Sequence, residues 1–158
     1  MKADPQSIDV PSLRRAASRA EVISAVEAVY ASVDRSIAQQ SPVCERKGIC
    51  CRFGTFGHRL YVTALEVCYY LANDEPPLQV VGDVCPHLVD GTCHARDRRP
   101  LGCRIYYCDL QAQHWQGPLT EDQLRRLRAL HDELSVSYFY ADWLAILRAL
   151  AERRASSV

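Results

Sequence analysis

The chain has 158 residues, with 48% hydrophobic and 24% charged side chains and eight cysteines, which is enough for one domain with a core of its own. Nineteen basic and nineteen acidic residues cancel, so no global field draws the protein to nucleic acid or to an anionic membrane, and neither is an expected partner. No uninterrupted apolar run reaches the roughly 18 residues of a membrane span, and the opening MKADPQSIDVP lacks the apolar core of a signal peptide; the expected compartment is the cytoplasm, where thiols stay reduced.

Residues 1–11 are polar and carry two prolines, the composition of a flexible N-terminus, and residues 12–158 form the single expected domain. Leu13, Ala16, Ala20, Ile23, Val26, Tyr30, Val33 and Ile37 recur at steps of three and four, which predicts one long helix from Ser12 to about Gln40. Ser12 is its expected N-cap and Pro42 follows its end. The apolar stripe packs on the core, with a protein partner as the alternative use of such a face.

Residues 44–59 read as loop. Thr63 and Glu66 have capping-box spacing, with Val62 and Val67 placed as a hydrophobic staple, and predict a short helix over 64–72. The run Asn73-Asp74-Glu75-Pro76-Pro77 stops it. Cys68 lies inside that helix and is read as a small buried apolar side chain.

Segments 85–89 and 92–95 flank Asp90-Gly91, the dipeptide of a tight hairpin. A basic turn over 96–100 leads to Cys103, and Gly117-Pro118 is expected to close the region. Thr120 and Gln123 suggest another capped helix, with Leu124, Leu127, Leu130 and Leu134 on one face. A last helix from about Tyr140 to Arg154 would bury Trp143, Leu144, Leu147 and Leu150. The expected fold is therefore mainly α: a long N-terminal helix and a C-terminal helical pair around a cysteine-rich loop and hairpin centre at 44–108.

Seven of the eight cysteines fall in two clusters within that centre, spaced C-x5-C-C (Cys44, Cys50, Cys51) and C-x7-C-x9-C-x4-C (Cys85, Cys93, Cys103, Cys108). Reduced thiols clustered in turn-rich segments point to a metal held by thiolates, either zinc or an iron–sulfur centre. Neighbouring side chains diverge, so adjacent Cys50 and Cys51 do not both fit one ion easily. One binds while the other packs, or the pair serves two ions or one polynuclear cluster. His87 and His94 are either further ligands or hairpin surface residues.

Residues 44–59 hold four basic side chains against one acid, and residues 93–108 repeat that ratio. Arg46, Arg52, Arg96, Arg98, Arg99 and Arg104 are candidates to offset the negative charge of a thiolate site. Arg104, beside Cys103, is the leading one and is assigned a cofactor-binding role.

These residues resemble the YkgJ-type cysteine-cluster family, a zinc- or iron-chelating domain with the pattern C-x2-C-x2-C-C, C-P-x-L, Gly-x-Cys and R-P-x-x-C-R. Cys44, Cys50 and Cys51 match the first motif and Cys85, Pro86 and Leu88 the second. Gly91 and Cys93 match the third, and Arg99, Pro100, Cys103 and Arg104 the fourth, with Cys108 as the trailing cysteine. Lys47 stands where the pattern has a cysteine. The resemblance implies a ligand set one thiol short, so an open coordination position near Lys47 is expected unless His87 or His94 fills it. Nothing resembles a nucleophile triad, phosphate loop or nucleotide fingerprint, so any catalysis would run through the metal. The expected function is a redox-active or catalytic iron or iron–sulfur protein, with a zinc-stapled protein-interaction module as the alternative.

Overall fold

The computed structural model describes residues 4, 7–42, 51–52, 54, 59–72, 79–107 and 110–155. Over these the chain is mainly helical: α1 (Val10–Ala17), α2 (Ala20–Gln40), α3 (Ala64–Ala72), α4 (Leu101–Ile105), α5 (Gln113–Leu134) and α6 (Trp143–Ala155). Four short strands form two antiparallel pairs. Strand β1 (Tyr61–Thr63) lies on β4 (Tyr140–Asp142), and β2 (Leu88–Val89) on β3 (Thr92–Cys93).

Helix α3 is the centre of the core. Its residues from Ala64 to Leu71 are all buried, as in a helix covered on every side, with α1 and α2 packed against it and α5 against α2. The capping box forms as the spacing predicts. Glu66 Oε2 accepts from the Thr63 amide at 2.7 Å and from its hydroxyl at 2.9 Å. The other oxygen does something that spacing does not announce: it accepts the amide of Leu101, the first residue of α4, at 2.7 Å. One buried carboxylate thereby ties the starts of two helices together, and its burial pushes its pKa up. His131 completes the arrangement from α5. Its Nδ1 pairs with the Leu127 carbonyl at 2.8 Å, and its Nε2 accepts the Leu65 amide at 3.2 Å.

Five expectations are corrected. Asp9, not Ser12, caps the first helix, its carboxylate accepting from the Ser12 amide at 3.1 Å and hydroxyl at 2.7 Å. Ile8 and Val10 are buried, so the fold begins inside the segment read as flexible. The long N-terminal helix is two helices: Ser18 Oγ turns back to the Arg15 carbonyl at 2.7 Å, and Arg19 takes an extended backbone with ψ 118°. That break lets α1 lie along α3 while α2 continues past it.

Pro118 lies inside α5, which starts at Gln113, and Thr120 Oγ1 bonds back to the Gln116 carbonyl at 2.7 Å and does not cap. A proline within a helix costs about 3 kcal/mol; packing of Trp115 and Leu119 against the core works against it. Residues 140–142 are a strand and not the start of a helix, because they pair with β1 in the register Tyr61↔Asp142, Val62↔Ala141, Thr63↔Tyr140.

The apolar stripes are spent internally: Val22, Val26, Val29, Tyr30, Val33 and Ile37 of α2 and Trp143, Leu144, Leu147 and Leu150 of α6 are buried. The large exposed apolar side chains among the described residues, Val81, Val84, Val89, Tyr106 and Tyr138, lie outside the helices. No helix among the described residues is long and apolar enough to cross a membrane.

Candidate metal centre

A short backbone zip brings the two cysteine clusters together. Arg52 and Val84 form an antiparallel bridge, the Cys85 amide donates to the Cys51 carbonyl at 2.8 Å, and the Gly54 amide donates to the Asp83 carbonyl at 3.1 Å. Gly54 is needed there, since a Cβ would sit 2.8 Å from the Asp83 Cβ. Beyond Cys85 the chain forms the expected hairpin. Asp90 and Gly91 both have positive φ, 50° and 74°, which defines the type I′ turn that matches strand twist. Leu88 pairs with Cys93, and the His94 amide bonds the His87 carbonyl at 2.8 Å. Cys85 and Cys93 are thus carried on the two legs of one hairpin, with Cys51 supplied from the other cluster.

The Cys51 thiol is close enough to Cys85 and Cys93 to pull both of their pKa values down. Main-chain donors aim at the same sulfurs: the His87 amide at Cys85, and the Ala95 and Arg96 amides at Cys93. Trp143 also helps to hold the Cys85 pKa down. These influences favour the thiolate. The Cys51 contact, followed by the backbone amides and the nearby Arg99 charge, brings Cys93 down to about 5 against the opposing effect of burial. Cys85 is lowered chiefly by the same Cys51 contact. Thiolates are the metal-binding form of cysteine, and hairpin amides directed at sulfur hold that form in place.

Among the described residues no group of three or more His, Cys, Asp or Glu is placed so that it could hold a metal ion. The three thiols are neighbours through Cys51. Cys44, Lys47, Cys50 and Cys108 lie outside the described residues, as does Arg46. None of Cys51, Cys68, Cys85, Cys93 and Cys103 is in a disulfide, in keeping with a set of reduced thiols.

An aromatic wall backs the hairpin. Tyr70 of α3 meets Trp143 of α6 edge to face at 5.0 Å and 88°, and its hydroxyl is 2.8 Å from His87 Nε2. His87 is buried, which with the Arg98 charge pushes its pKa down to about 4 and keeps the imidazole neutral. With Nε2 on Tyr70, that nitrogen serves to dock the hairpin; His94 is exposed. Arg98 lies over the Tyr70 ring at 5.3 Å, and its Nη1 is buried without a hydrogen-bond partner.

Arg104 is buried, and its described donors go to oxygen: Nη1 to Asp34 at 3.0 Å, Nε to the Arg99 carbonyl at 2.9 Å, and Nη2 to the Asp97 carbonyl. The guanidinium stacks on Tyr30 at 4.0 Å. In these contacts it locks α4 and the preceding basic turn onto α2. Cys103, half-buried on α4, is near enough to Tyr30 for their charges to interact. Cys68 is fully buried, donates to the Leu13 carbonyl at 3.6 Å and has its pKa pushed up to about 12 by desolvation, the profile of an inert core thiol.

Against known protein-family models, curated proteins and solved structures, the chain matches none. The contributions of Trp143 and Tyr70 were not read from the sequence, where both look like core aromatics. The signal in principle is that each carries one polar atom that needs a buried partner.

Proposed function

We propose that this chain is a metal-binding protein whose centre is iron, most simply an iron–sulfur cluster, and that it acts in a redox or catalytic role through that metal. Cys51, Cys85 and Cys93 would hold it, with Cys44, Cys50, Cys103 and Cys108 as the remaining candidate ligands. The observation that carries this reading is the meeting of Cys51 with both hairpin thiols while backbone amides point at the hairpin sulfurs. Such donors stabilise negative charge on sulfur, which is what a thiolate ligand set requires. The buried, unpartnered Nη1 of Arg98 behind the hairpin suits a centre of net negative charge. The likeness to the YkgJ-type cysteine-cluster family, resting on residues 44–108, supports the same reading.

An iron centre would supply electron transfer or a polarising site for a substrate. The chain's own part is to bury the sulfurs, direct N–H groups at them and keep a neutral His87 docked on Tyr70. Anaerobic purification followed by metal and sulfide analysis tests this. Brown protein with thiolate-to-iron absorption, lost in Cys85→Ser and kept in Cys68→Ser, is expected. Colourless protein with stoichiometric zinc would make the centre a structural staple without catalysis, and metal-free protein would remove the reading altogether.

A further inference from the structure

We propose that the cavity between α1 and the connection from α5 to β4 is a second ligand site, one for a monocarboxylate with an apolar body of about aromatic-ring size. The cavity has a volume of about 480 Å³, within the roughly 300–1,000 Å³ of sites that take small molecules. It shares no residue with the thiols or the hairpin, so it is independent of the metal reading.

The walls come from two turns of the chain. On one side the helix breaks after α1, and Arg19 at the break lines the cavity together with Arg15. On the other side Ser135, at φ 54°, ends α5 and turns the chain so that Val136, Tyr138 and Phe139 form the second wall. That wall is held in place before any ligand arrives. The Val136 amide donates to the His131 carbonyl at 3.0 Å, and the Tyr138 ring meets His131 edge to face at 5.0 Å with the Arg128 guanidinium over it at 3.9 Å. Ile8, Leu13, Ala16 and Val136 are buried and give the lining its apolar part.

Charge selects the ligand's other end. The lining carries two arginines against one carboxylate, Asp9, which leaves one positive charge in surplus. Asp9 is committed to capping, its oxygens accepting the Ser12 amide at 3.1 Å and hydroxyl at 2.7 Å. Arg15 gives one N–H to Ser12 Oγ at 2.6 Å, and Arg19 gives its Nε to Glu21 at 2.8 Å. A guanidinium has five N–H donors in a planar fork that fits a carboxylate, so these bonds use a small part of either fork. One surplus charge matches one carboxylate, and the aliphatic and aromatic walls match an apolar body.

The test titrates the full chain with phenylbutyrate and with its neutral analogue phenylbutanamide, followed by amide NMR. The acid should bind saturably at millimolar concentration or below and shift the amides of Leu13, Ala16, Val136 and Phe139. The neutral analogue should bind about tenfold more weakly, the scale of one charge-assisted hydrogen bond. Arg15→Gln combined with Arg19→Gln should weaken the acid by a similar factor and leave the neutral analogue unchanged. Equal affinity for acid and neutral analogue in the unaltered protein overturns the carboxylate site, whether or not the double variant folds. Undiminished acid binding in a folded double variant overturns it too, as does saturation that shifts other amides or no saturation by either probe.

Discussion

The amide of Cys85 donates to the carbonyl of Cys51 at 2.8 Å, and this bond is where two cysteine clusters distant in sequence become one site. Next to it, the Gly54 amide holds Asp83 at 3.1 Å, with a prospective Cβ only 2.8 Å from the Asp83 Cβ. Gly54→Ala should push the two segments apart. Overpacking of this kind costs about 1–3 kcal/mol, read as a lower urea midpoint. Because Cys51 is carried by the same zip, metal content should fall too. A G54A protein with wild-type stability and metal content would show that the zip does not hold the site together.

Glu66 should be sensitive to loss of a single oxygen. Its carboxylate accepts the Leu101 amide on one side and both Thr63 donors on the other. In Glu66→Gln one side presents an NH₂ to groups that are themselves donors. At least one buried donor is then unsatisfied, at about 1–3 kcal/mol. The urea midpoint should drop with an unchanged slope. Thr63→Ala keeps the Leu101 bond and should cost less, about 1 kcal/mol, in line with loss of a helix cap. Equal effects from the two variants would argue against the double-cap role.

The capping box over Thr63–Glu66 and the turn at Asp90-Gly91 were legible because each is a local device: the residues that decide it lie within a few positions of one another. What escaped the sequence was non-local. Tyr140–Asp142 is a strand only because Tyr61–Thr63 lies beside it. The break at Ser18–Arg19 interrupts no apolar stripe and shows only once α1 has α3 to pack on. Pro118 reads as a stop, yet the helix runs through it. At the site, the clustered thiols pointed to Cys51, Cys85 and Cys93, and isolation within a helix set Cys68 aside. The surroundings of their sulfurs were invisible, since backbone amides have no side-chain signature and Trp143 lies far along the chain. Arg104 stood out for its place beside Cys103, and its described contacts go instead to Asp34, two backbone carbonyls and the Tyr30 ring.

Acidification should weaken the fold through His131. Its Nε2 accepts the Leu65 amide while Nδ1 pairs with the Leu127 carbonyl, an arrangement available only to the neutral ring. Burial lowers its pKa below the ordinary 6.5. The unfolded chain therefore takes up a proton first as pH falls. The stabilising contribution is whole above pH 6.5 and is lost as pH drops below it, by up to about 1.4 kcal/mol per pH unit until the folded ring protonates. His87, lowered to about 4, acts in the same direction between 6.5 and about 4. Urea unfolding at pH 7.5 and 5.5 should show the loss, with a smaller difference in His131→Gln. An identical pH dependence in the variant would assign the effect elsewhere.

Removing metal should loosen the hairpin region far more than the helices. Where ligands come from separate segments, the binding energy of the metal is also folding energy for those segments. The hairpin has few ties of its own: β2 and β3 are two residues each, too short to hold alone, and it is held by the Cys51–Cys85 zip, the docking of His87 on Tyr70 and the packing of Leu88 and Cys93 against the core. The helical core is different. Helices α1, α2 and α3 bury their own apolar side chains, and Glu66 and His131 fix the start of α3 without any sulfur. After chelation, hydrogen exchange should quicken at the amides of His87, Ala95 and Arg96, which face the sulfurs, and at Cys85 in the zip. The amides of α2 and α3 should keep most of their protection. Cys85→Ser should reproduce this pattern, since it removes a thiol at the junction of the zip, the hairpin and Trp143. Cys68→Ser should not, because its sulfur only bonds the Leu13 carbonyl within the core; its effect should be a modest uniform loss of stability with metal retained. Uniform loss of protection across helices and hairpin after chelation would mean that the metal holds the whole fold, and loss of metal in Cys68→Ser would place the ligands elsewhere.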